Sequence, residues 1–308
     1  YESYVAPERF RSGAFSSALQ QTQIARFVVD EAHCISEWGH DFRPDYLALE
    51  SAIEMLGRPP LMAVTATATS RVQQSIVEKL GMRAPQTIVG GFDRPNLHFS
   101  VHRCKSEAER ESKLERALPK LAGRGGSGLI YVATRKQCEA VAALAARVLQ
   151  PLGLKAAAYH AGLSPDARNA AQNAWLSGEV HTIVATNAFG MGIDKPDVRF
   201  VVHYCIPDSL ESYYQEAGRA GRDGRKSRCV ILYQFADRRL REFFINNEEM
   251  SVEAVQRAHF ELVSRARQEN RADGEPFPVP KNWWMQALGW SEVKTRLVLS
   301  RLEICDLI

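Results

Sequence analysis

Two acidic residues and a histidine stand directly after a short apolar run: residues 30–33 read Asp-Glu-Ala-His and follow Ala25–Val29. A carboxylate at the tip of a buried strand can hold Mg²⁺, and a neighbouring carboxylate can orient the water that attacks a phosphoryl group. In this interpretation Asp30 has the first role and Glu31 the second. A plain acidic loop after a strand fits the same four residues equally well.

A strand that delivers carboxylates to a sheet edge needs neighbouring strands, and strand and helix patterns alternate over most of the chain. Before residue 92 we predict strands at Ala25–His33 and Leu61–Thr65, and helices at Tyr46–Leu56 and Ser70–Leu80. Gly and Pro punctuate a linker at 90–96. Six more strands and four more helices follow between Leu97 and Tyr233.

The expected organisation is therefore a first α/β domain over residues 1–92, a second over 93–235, and a helical region over 236–308. The longest predicted helix spans Arg238–Arg267. Near the end, Trp283–Ser291 and Glu292–Ile304 resemble two helices joined by a Gly-containing turn, which fits either the start of a winged helix or generic helical packing.

Composition limits the class of protein. The chain has 308 residues, of which 45% are hydrophobic and 24% charged, with a net charge of +3. These values exclude a disordered or low-complexity chain, and no apolar run is long enough to span a bilayer. Six scattered cysteines without a Cys-x-x-Cys pair argue against a disulfide framework and a four-cysteine zinc site. The first residues carry no secretory signal.

The loop after residue 33 changes the balance between the two interpretations of the acidic tetrapeptide. The segment Cys34–Tyr46 resembles the aromatic-rich loop of the RecQ family of superfamily 2 helicases. Other segments are similar to that family's motifs in the same order: Tyr4–Arg9 (motif Ib), Thr65–Ala68 (III), Phe92–Asn96 (between the domains), Ile130–Arg135 (IV), Ala158–Leu163, Val184–Asp194 (V) and Tyr213–Gly224 (VI). The resemblance covers residues 1 to 245 and implies two RecA-like parallel-sheet domains, the first incomplete.

The resemblance also implies a nucleotide site. Arg222 matches the arginine finger, with Gln215 and Arg219 supporting it. Because the two arginines are three residues apart, on a helix they would share one face and could both reach phosphates. Gly192 and Asp194 match positions at which the backbone can come close to the ribose and phosphates of the nucleotide. A solvated basic turn and structural glycines are the ordinary alternatives.

A DNA-binding surface is implied as well. Trp38 and Phe42 offer flat faces for base stacking, Arg43 offers a charge for the backbone, and His40 matches the position that couples this loop to ATP hydrolysis. Buried core aromatics are the alternative. In the second domain five residues at predicted strand ends match phosphate contacts: Thr134, Arg135, His160, Gly162 and Thr186.

Three features depart from the family pattern. The chain contains no Gly-Lys pair and hence no P-loop. It also begins at motif Ib, so we expect a fragment or a truncated gene product. The family's four-cysteine module after motif VI is missing, since only Cys305 follows Cys229, and zinc is not predicted.

The residues and the resemblance predict an ATP- and Mg²⁺-dependent DNA helicase in which Asp30 holds the metal through water, Glu31 activates water and His33 couples the site to DNA. The 3′ to 5′ direction comes from the resemblance alone. Expected partners are single-stranded, forked and duplex DNA and a single-strand-binding protein, without a membrane. The expected location is a bacterial cytoplasm and nucleoid or a eukaryotic nucleus.

Two rivals remain: a single-strand-binding module without ATP turnover, and an RNA helicase. The loop from Trp38 to Arg43 argues against the RNA helicase.

Replacing Trp38 with alanine tests the stacking role. Loss of one stacking ring should weaken binding of single-stranded DNA by about 1 to 3 kcal/mol, measured by fluorescence anisotropy with a labelled oligonucleotide. Unchanged affinity would instead place Trp38 in the hydrophobic core.

Overall fold

The computed structural model describes residues 3–36, 42–91, 93–187, 189–190, 193–239, 252–269 and 283–290, with residues 271, 279, 295, 298–299 and 302. The chain divides into two compact units, residues 1–237 and residues 238–308. The first unit holds two separate sheets, one before and one after residue 92. The domain boundary at residue 92 stays a prediction.

The strands of the described residues are β1 (Phe27–Val29), β2 (Leu61–Ala63), β3 (Leu97–Cys104), β4 (Ser127–Tyr131), β5 (Ala156–Tyr159), β6 (Thr182–Ala185), β7 (Val198–His203) and β8 (Ser227–Gln234). The helices are α1 (Gly13–Gln20), α2 (Leu49–Met55), α3 (Ser70–Lys79), α4 (Glu107–Ala122), α5 (Arg135–Leu149), α6 (Pro165–Ser177), α7 (Leu210–Ala217), α8 (Val252–Gln268) and α9 (Trp283–Leu288). Short 3₁₀ helices lie at Pro7–Arg11, Ala32–Ile35, Pro44–Ala48 and Gln150–Leu152.

The larger sheet contains six parallel strands in the order β3-β8-β7-β4-β6-β5. Its central strands β4, β6 and β7 are buried along their whole length, as expected when helices cover both faces of a parallel sheet. Apolar residues of α4 and α5 form the core on one face, with Leu114 and Leu118 fully buried. On the other face Trp175 of α6 and Ala217 of α7 are fully buried.

The smaller sheet pairs β1 and β2 in parallel and packs on α2 and α3 through Val29, Ile53 and Ile76. The strand predicted over Ala25–His33 is shorter in the structure, because Glu31 has a left-handed backbone (φ 48°) and a 3₁₀ turn follows it. The helix predicted from Tyr46 begins as a 3₁₀ turn at residue 44 before α2 starts.

The described residues of the unit 238–308 include two helices and a small core of their own, in which Ala258, Leu262, Val298 and Leu302 are buried. Gly289 follows α9 with φ 66°, at the predicted turn. The described helix α8 begins at residue 252, and residues 240–251 of the longer predicted helix lie outside the described residues. The winged-helix assignment stays a prediction.

None of the described helices is long and apolar enough to cross a membrane. The five cysteines that the structure describes are buried, and none of them forms a disulfide.

The contact between Gly128 of β4 and Phe200 of β7 permits a stability prediction. A methyl group at Gly128 would lie 1.9 Å from Cζ of Phe200, so Gly128→Ala should cost about 1 to 3 kcal/mol through overpacking. Urea unfolding followed by circular dichroism measures this cost. Gly90→Ala is the control, since among the described atoms a methyl group there meets none within 4 Å. Equal stability of the two variants would contradict this packing.

Candidate active site

The carboxyl end of β1 presents two acidic residues. Asp30 is exposed, and its Oδ1 accepts a hydrogen bond of 2.8 Å from the Glu31 N–H. The left-handed conformation of Glu31 is uncommon for a residue with a side chain and costs on the order of 1 kcal/mol or more. The next N–H group, of Ala32, donates to the Val64 carbonyl at 2.9 Å, which fixes this tight turn against the end of β2.

His33 connects the ends of the two strands. Its side chain is nearly buried, and Nδ1 lies 2.8 Å from Oγ1 of Thr65 and 3.4 Å from Oε2 of Glu31. The Thr65 hydroxyl donates to the Thr67 carbonyl at 3.1 Å. Because a hydroxyl has one proton, the His33 ring must donate from Nδ1 to Thr65. The thiol Sγ of Cys34 lies 3.7 Å from the other ring nitrogen. The histidine is thereby oriented by motif III.

The base of the aromatic-rich loop is held by the same segment. The Arg43 N–H donates to the Cys34 carbonyl at 2.8 Å, and the Tyr46 hydroxyl donates to the Asp30 carbonyl at 3.2 Å. Burial raises the pKa of Tyr46 to about 12, so this hydroxyl stays protonated and keeps its donor. Phe42 is half-buried, with Nζ of Lys79 5.9 Å from its ring centroid. Trp38 and His40 lie outside the described residues.

Arg219 and Arg222 do not lie on a helix. The helix α7 ends at Ala217, and both arginines belong to the turn that follows it. Gly221 in this turn has φ 57°, a left-handed backbone conformation that favours glycine. The spacing of three residues therefore does not place the two guanidinium groups on one helical face.

Residues 218–225 form the turn that carries both arginines, which we call the arginine turn. Buried Arg199 on β7 holds this turn in place. Its Nη2 lies 2.6 Å from Oδ2 of Asp223, and its Nη1 donates to Oγ of Ser227 at 3.1 Å. Hydrogen bonding to Arg199 is the main cause that lowers the pKa of Asp223. The Gly221 N–H donates to the Val198 carbonyl at 2.9 Å. These bonds tie the turn to the starts of β7 and β8.

The two arginines of the turn have different surroundings. Nη1 of Arg222 lies 2.7 Å from Oδ1 of Asp194, and these side chains are 39% and 82% exposed. Arg219 is half-buried behind Gly190, and its Nε has no hydrogen-bond partner among the described residues. It lies beside Tyr131, whose pKa is raised mainly by burial. Arg222 can thus exchange partners with a ligand, whereas Arg219 is largely packed.

Two further predicted residues bear on this group. Gln215 lies half-buried on α7. Gly192 lies outside the described residues.

The second-domain residues predicted to contact phosphates share one edge of the large sheet. They follow the adjacent strands β4, β6 and β5: Thr134 and Arg135 after β4, Thr186 after β6, and His160 and Gly162 after β5. Exposed Thr134 caps α5, since its Oγ1 accepts the Gln137 N–H at 3.2 Å. Arg135 is exposed beside this cap. Thr186 is buried, and its N–H donates to the Tyr159 carbonyl at 3.3 Å.

His160 is buried and has partners on both ring nitrogens. Nδ1 accepts the Gly162 N–H at 3.1 Å, so Nε2 carries the proton that it donates to Oε1 of Glu139 at 2.7 Å. A methyl group at Gly162 would lie 3.1 Å from Cδ of Arg135. His160 is therefore placed to hold the backbone at Gly162 rather than to contact a phosphate with a free ring nitrogen.

Residue pattern alone did not single out several groups that support these sites: Thr65, Tyr46, Glu139, Arg199 and Asp223. Thr65, Tyr46 and Asp223 lay within segments that resemble the family's motifs, which is a usable signal. Glu139 and Arg199 act through tertiary contacts that no local pattern indicates. Among the described residues, no cluster of three or more His, Cys, Asp or Glu side chains could hold a metal ion.

Much of the chain is similar to known helicases. Residues 109–224 match the family described as Helicase conserved C-terminal domain. RecQ-like DNA helicase blm-1 of Caenorhabditis elegans is 43% identical over 243 residues, which cover 76% of this chain and 24% of that protein. ATP-dependent DNA helicase RecQ of Bacillus subtilis is 42% identical over 247 residues, covering 80% of this chain and 40% of that protein. The chain spans less than half the length of either relative.

A solved structure supports the fold. Helicase Lhr of Mycobacterium smegmatis, bound to single-stranded DNA and AMP-PNP, matches with a TM-score of 0.58 and 19% identity over 90% of this chain and 34% of that chain. At this identity the likeness concerns the fold alone. The predicted α/β class with RecA-like parallel sheets is confirmed.

The Arg199–Asp223 contact gives a pH-dependent prediction. Because the pKa of Asp223 is lowered in the folded protein, its carboxylate stabilises the fold above the ordinary aspartate pKa of about 4. That stabilisation is lost as the pH falls through the lower folded pKa. Asp223→Asn should therefore unfold at a lower temperature than the parent at neutral pH, and the gap should close in acid. Thermal unfolding across pH, with Asp93→Asn as control, measures it. A gap that persists in acid would show that the ion pair is not the cause.

Proposed function

Because this chain belongs to the RecQ family of helicases, we propose that it forms part of an ATP-dependent DNA helicase that moves 3′ to 5′ along a single strand. Unwinding of forked and duplex DNA in repair and recombination is the proposed cellular role, in a bacterial nucleoid or a eukaryotic nucleus. A single-strand-binding protein is a proposed partner.

The observation that carries the proposal is the group at the end of β1. The Glu31 carboxylate lies 3.4 Å from His33 Nδ1, and His33 is bonded to Thr65 at the end of the neighbouring strand. A carboxylate at this position can accept a proton from water as that water attacks a phosphate. His33 then links the acidic turn to motif III and, through the adjoining loop, to DNA.

The residues present fit part of a magnesium–nucleotide site. Exposed Asp30 offers the hard oxygen that Mg²⁺ prefers, directly or through water. Bound Mg–ATP would supply the phosphoryl group whose transfer to water drives the cycle. The chain has no Gly-Lys pair that could serve as a P-loop, so a cradle for the β and γ phosphates is not found in its sequence. The acidic and arginine parts fit, and the phosphate cradle does not.

From the second domain, Arg222 is the arginine proposed to neutralise the charge that develops on the phosphate. In the structure it is paired with exposed Asp194, so it would exchange this carboxylate for phosphate oxygens. Such an exchange is inexpensive, because exposed ion pairs contribute little. Arg219 and Gln215 would support the turn, and Gly192 and Asp194 would lie near the ribose.

Two surfaces are proposed to hold the single strand. The first is the loop of Trp38, His40, Phe42 and Arg43, whose base is bonded to the acidic turn. The second is the row after β4, β6 and β5, where the start of α5 offers backbone N–H groups and Arg135 to successive phosphates. Closing and opening of the cleft between the domains would move the strand from one surface past the other.

Steady-state ATP hydrolysis of this polypeptide, with and without single-stranded DNA, tests the proposal. If a nucleotide site forms without a P-loop, turnover should be stimulated by DNA and abolished by Glu31→Gln, because the amide cannot accept a proton. The exposed Glu78→Gln of α3 is the matched control and should keep full turnover.

Each alternative outcome has a definite meaning. DNA binding without any Glu31-dependent turnover would identify a single-strand-binding module. Stronger stimulation by RNA of the same sequence would overturn the DNA assignment.

A further inference from the structure

The segment that precedes β3 reaches across to the arginine turn. The Arg94 guanidinium donates to three main-chain carbonyls of that turn, at 3.5 Å to Gly218 and at 3.1 Å to both Ala220 and Gly221. Two residues later, Nδ2 of Asn96 donates to the carbonyls of Gly221 at 2.8 Å and Arg225 at 3.1 Å. Five hydrogen bonds thus join residues 94–96 to the turn that carries both arginines.

The physical reason lies in the turn that follows α7, which ends at Ala217. Three carbonyls of this turn are acceptors that need a donor where they are shielded from water. Arginine is suited to such a turn, because its planar guanidinium can donate to several oxygens at once and stays charged. Arg94 is itself half-buried, so solvent screens these bonds only in part. This donor lies more than a hundred residues away from the turn along the chain.

Asn96 restricts the turn further. A methyl group at Gly221 would lie 2.5 Å from its Nδ2, so only glycine fits beside it. The Asn96 carbonyl accepts the Ser227 N–H at 2.9 Å, which ties the far end of the turn to the same segment. The path of the backbone between the two arginines is therefore set by contacts with residues 94–96.

We propose that Arg94 is a positioning residue for Arg219 and Arg222, acting through the main chain of the turn. Arg94 belongs to the segment that joins the two sheets, so a displacement of that segment moves the arginine turn. This inference rests on the proposed function, since it assigns the turn to a nucleotide. It adds that the connection between the domains controls where the arginines are presented.

A double-mutant cycle between Arg94 and Arg222 tests this inference. The dissociation constant of mant-labelled AMP-PNP with Mg²⁺ is measured by fluorescence for the parent, Arg94→Gln, Arg222→Gln and the double variant. In the otherwise unaltered chain, Arg94→Gln removes charged hydrogen bonds that hold the turn. It should therefore raise the dissociation constant about tenfold. In the Arg222→Gln background Arg94→Gln should have an effect of less than about twofold. A general structural role would instead give equal effects in both backgrounds, and that result would overturn the proposal.

Two control variants separate positioning from stability. Arg58→Gln also removes an arginine that donates to a carbonyl near a helix end, that of Gly81 at 2.9 Å, and it should leave nucleotide affinity unchanged. Arg94→Lys keeps the charge but loses the planar guanidinium that donates to several carbonyls. It should therefore be more thermally stable than Arg94→Gln, while nucleotide binding stays weak. Full recovery of binding by lysine would contradict the need for several carbonyl contacts.

Hydrogen exchange distinguishes failure of this inference from failure of the proposed function. It is followed by mass spectrometry on nucleotide-free protein and needs no bound ligand. If the parent binds no nucleotide, the proposed function fails for this polypeptide. Faster exchange confined to residues 218–226 in Arg94→Gln, but not in Arg58→Gln, would still support the control of the turn by Arg94. Unchanged exchange there would refute it.

Discussion

Parallel strand pairing is the constraint on which the rest of this structure depends. All strand pairs of the described residues are parallel, two strands in one sheet and six in the other. Parallel neighbours end at the same edge, and each connection must return across a face of the sheet. Side chains that follow different strands are therefore collected along one edge. The acidic turn after β1 meets Thr65 after β2, and the polar residues after β4, β5 and β6 form one row, for this reason.

Strand ends were predictable because apolar runs stop abruptly at polar residues, as they do before Asp30 and Thr134. The six strands and four helices expected between Leu97 and Tyr233 are present, with bounds shifted by a few residues. The spacing of Arg219 and Arg222 fits one face of a helix, but that face is not formed. The helix α7 ends at Ala217, and tertiary contacts decide the path of the turn that follows.

Partners of buried polar groups could not be read from the sequence. The bond between His33 and Thr65 spans 32 residues, and that between Arg199 and Asp223 spans 24. Such pairs depend on which strands become neighbours, and the strand order is not encoded in any local pattern. In both pairs one partner, His33 or Arg199, is buried, whereas Glu31 is half-buried and Arg222 is exposed. Family resemblance identified the accessible residues, and the fold identified the residues that orient them.

We propose that the sites for nucleotide and for DNA in this chain are thermodynamically coupled. The most direct test measures the affinity for a labelled single-stranded oligonucleotide with and without saturating Mg–AMP-PNP, and the affinity for the nucleotide with and without DNA. Coupling requires both affinities to change by the same factor, because linkage is reciprocal. We predict such a change, and its loss in Thr65→Val, which removes the hydroxyl that orients His33. Two ligands that bind with unaltered affinities in each other's presence would contradict this account.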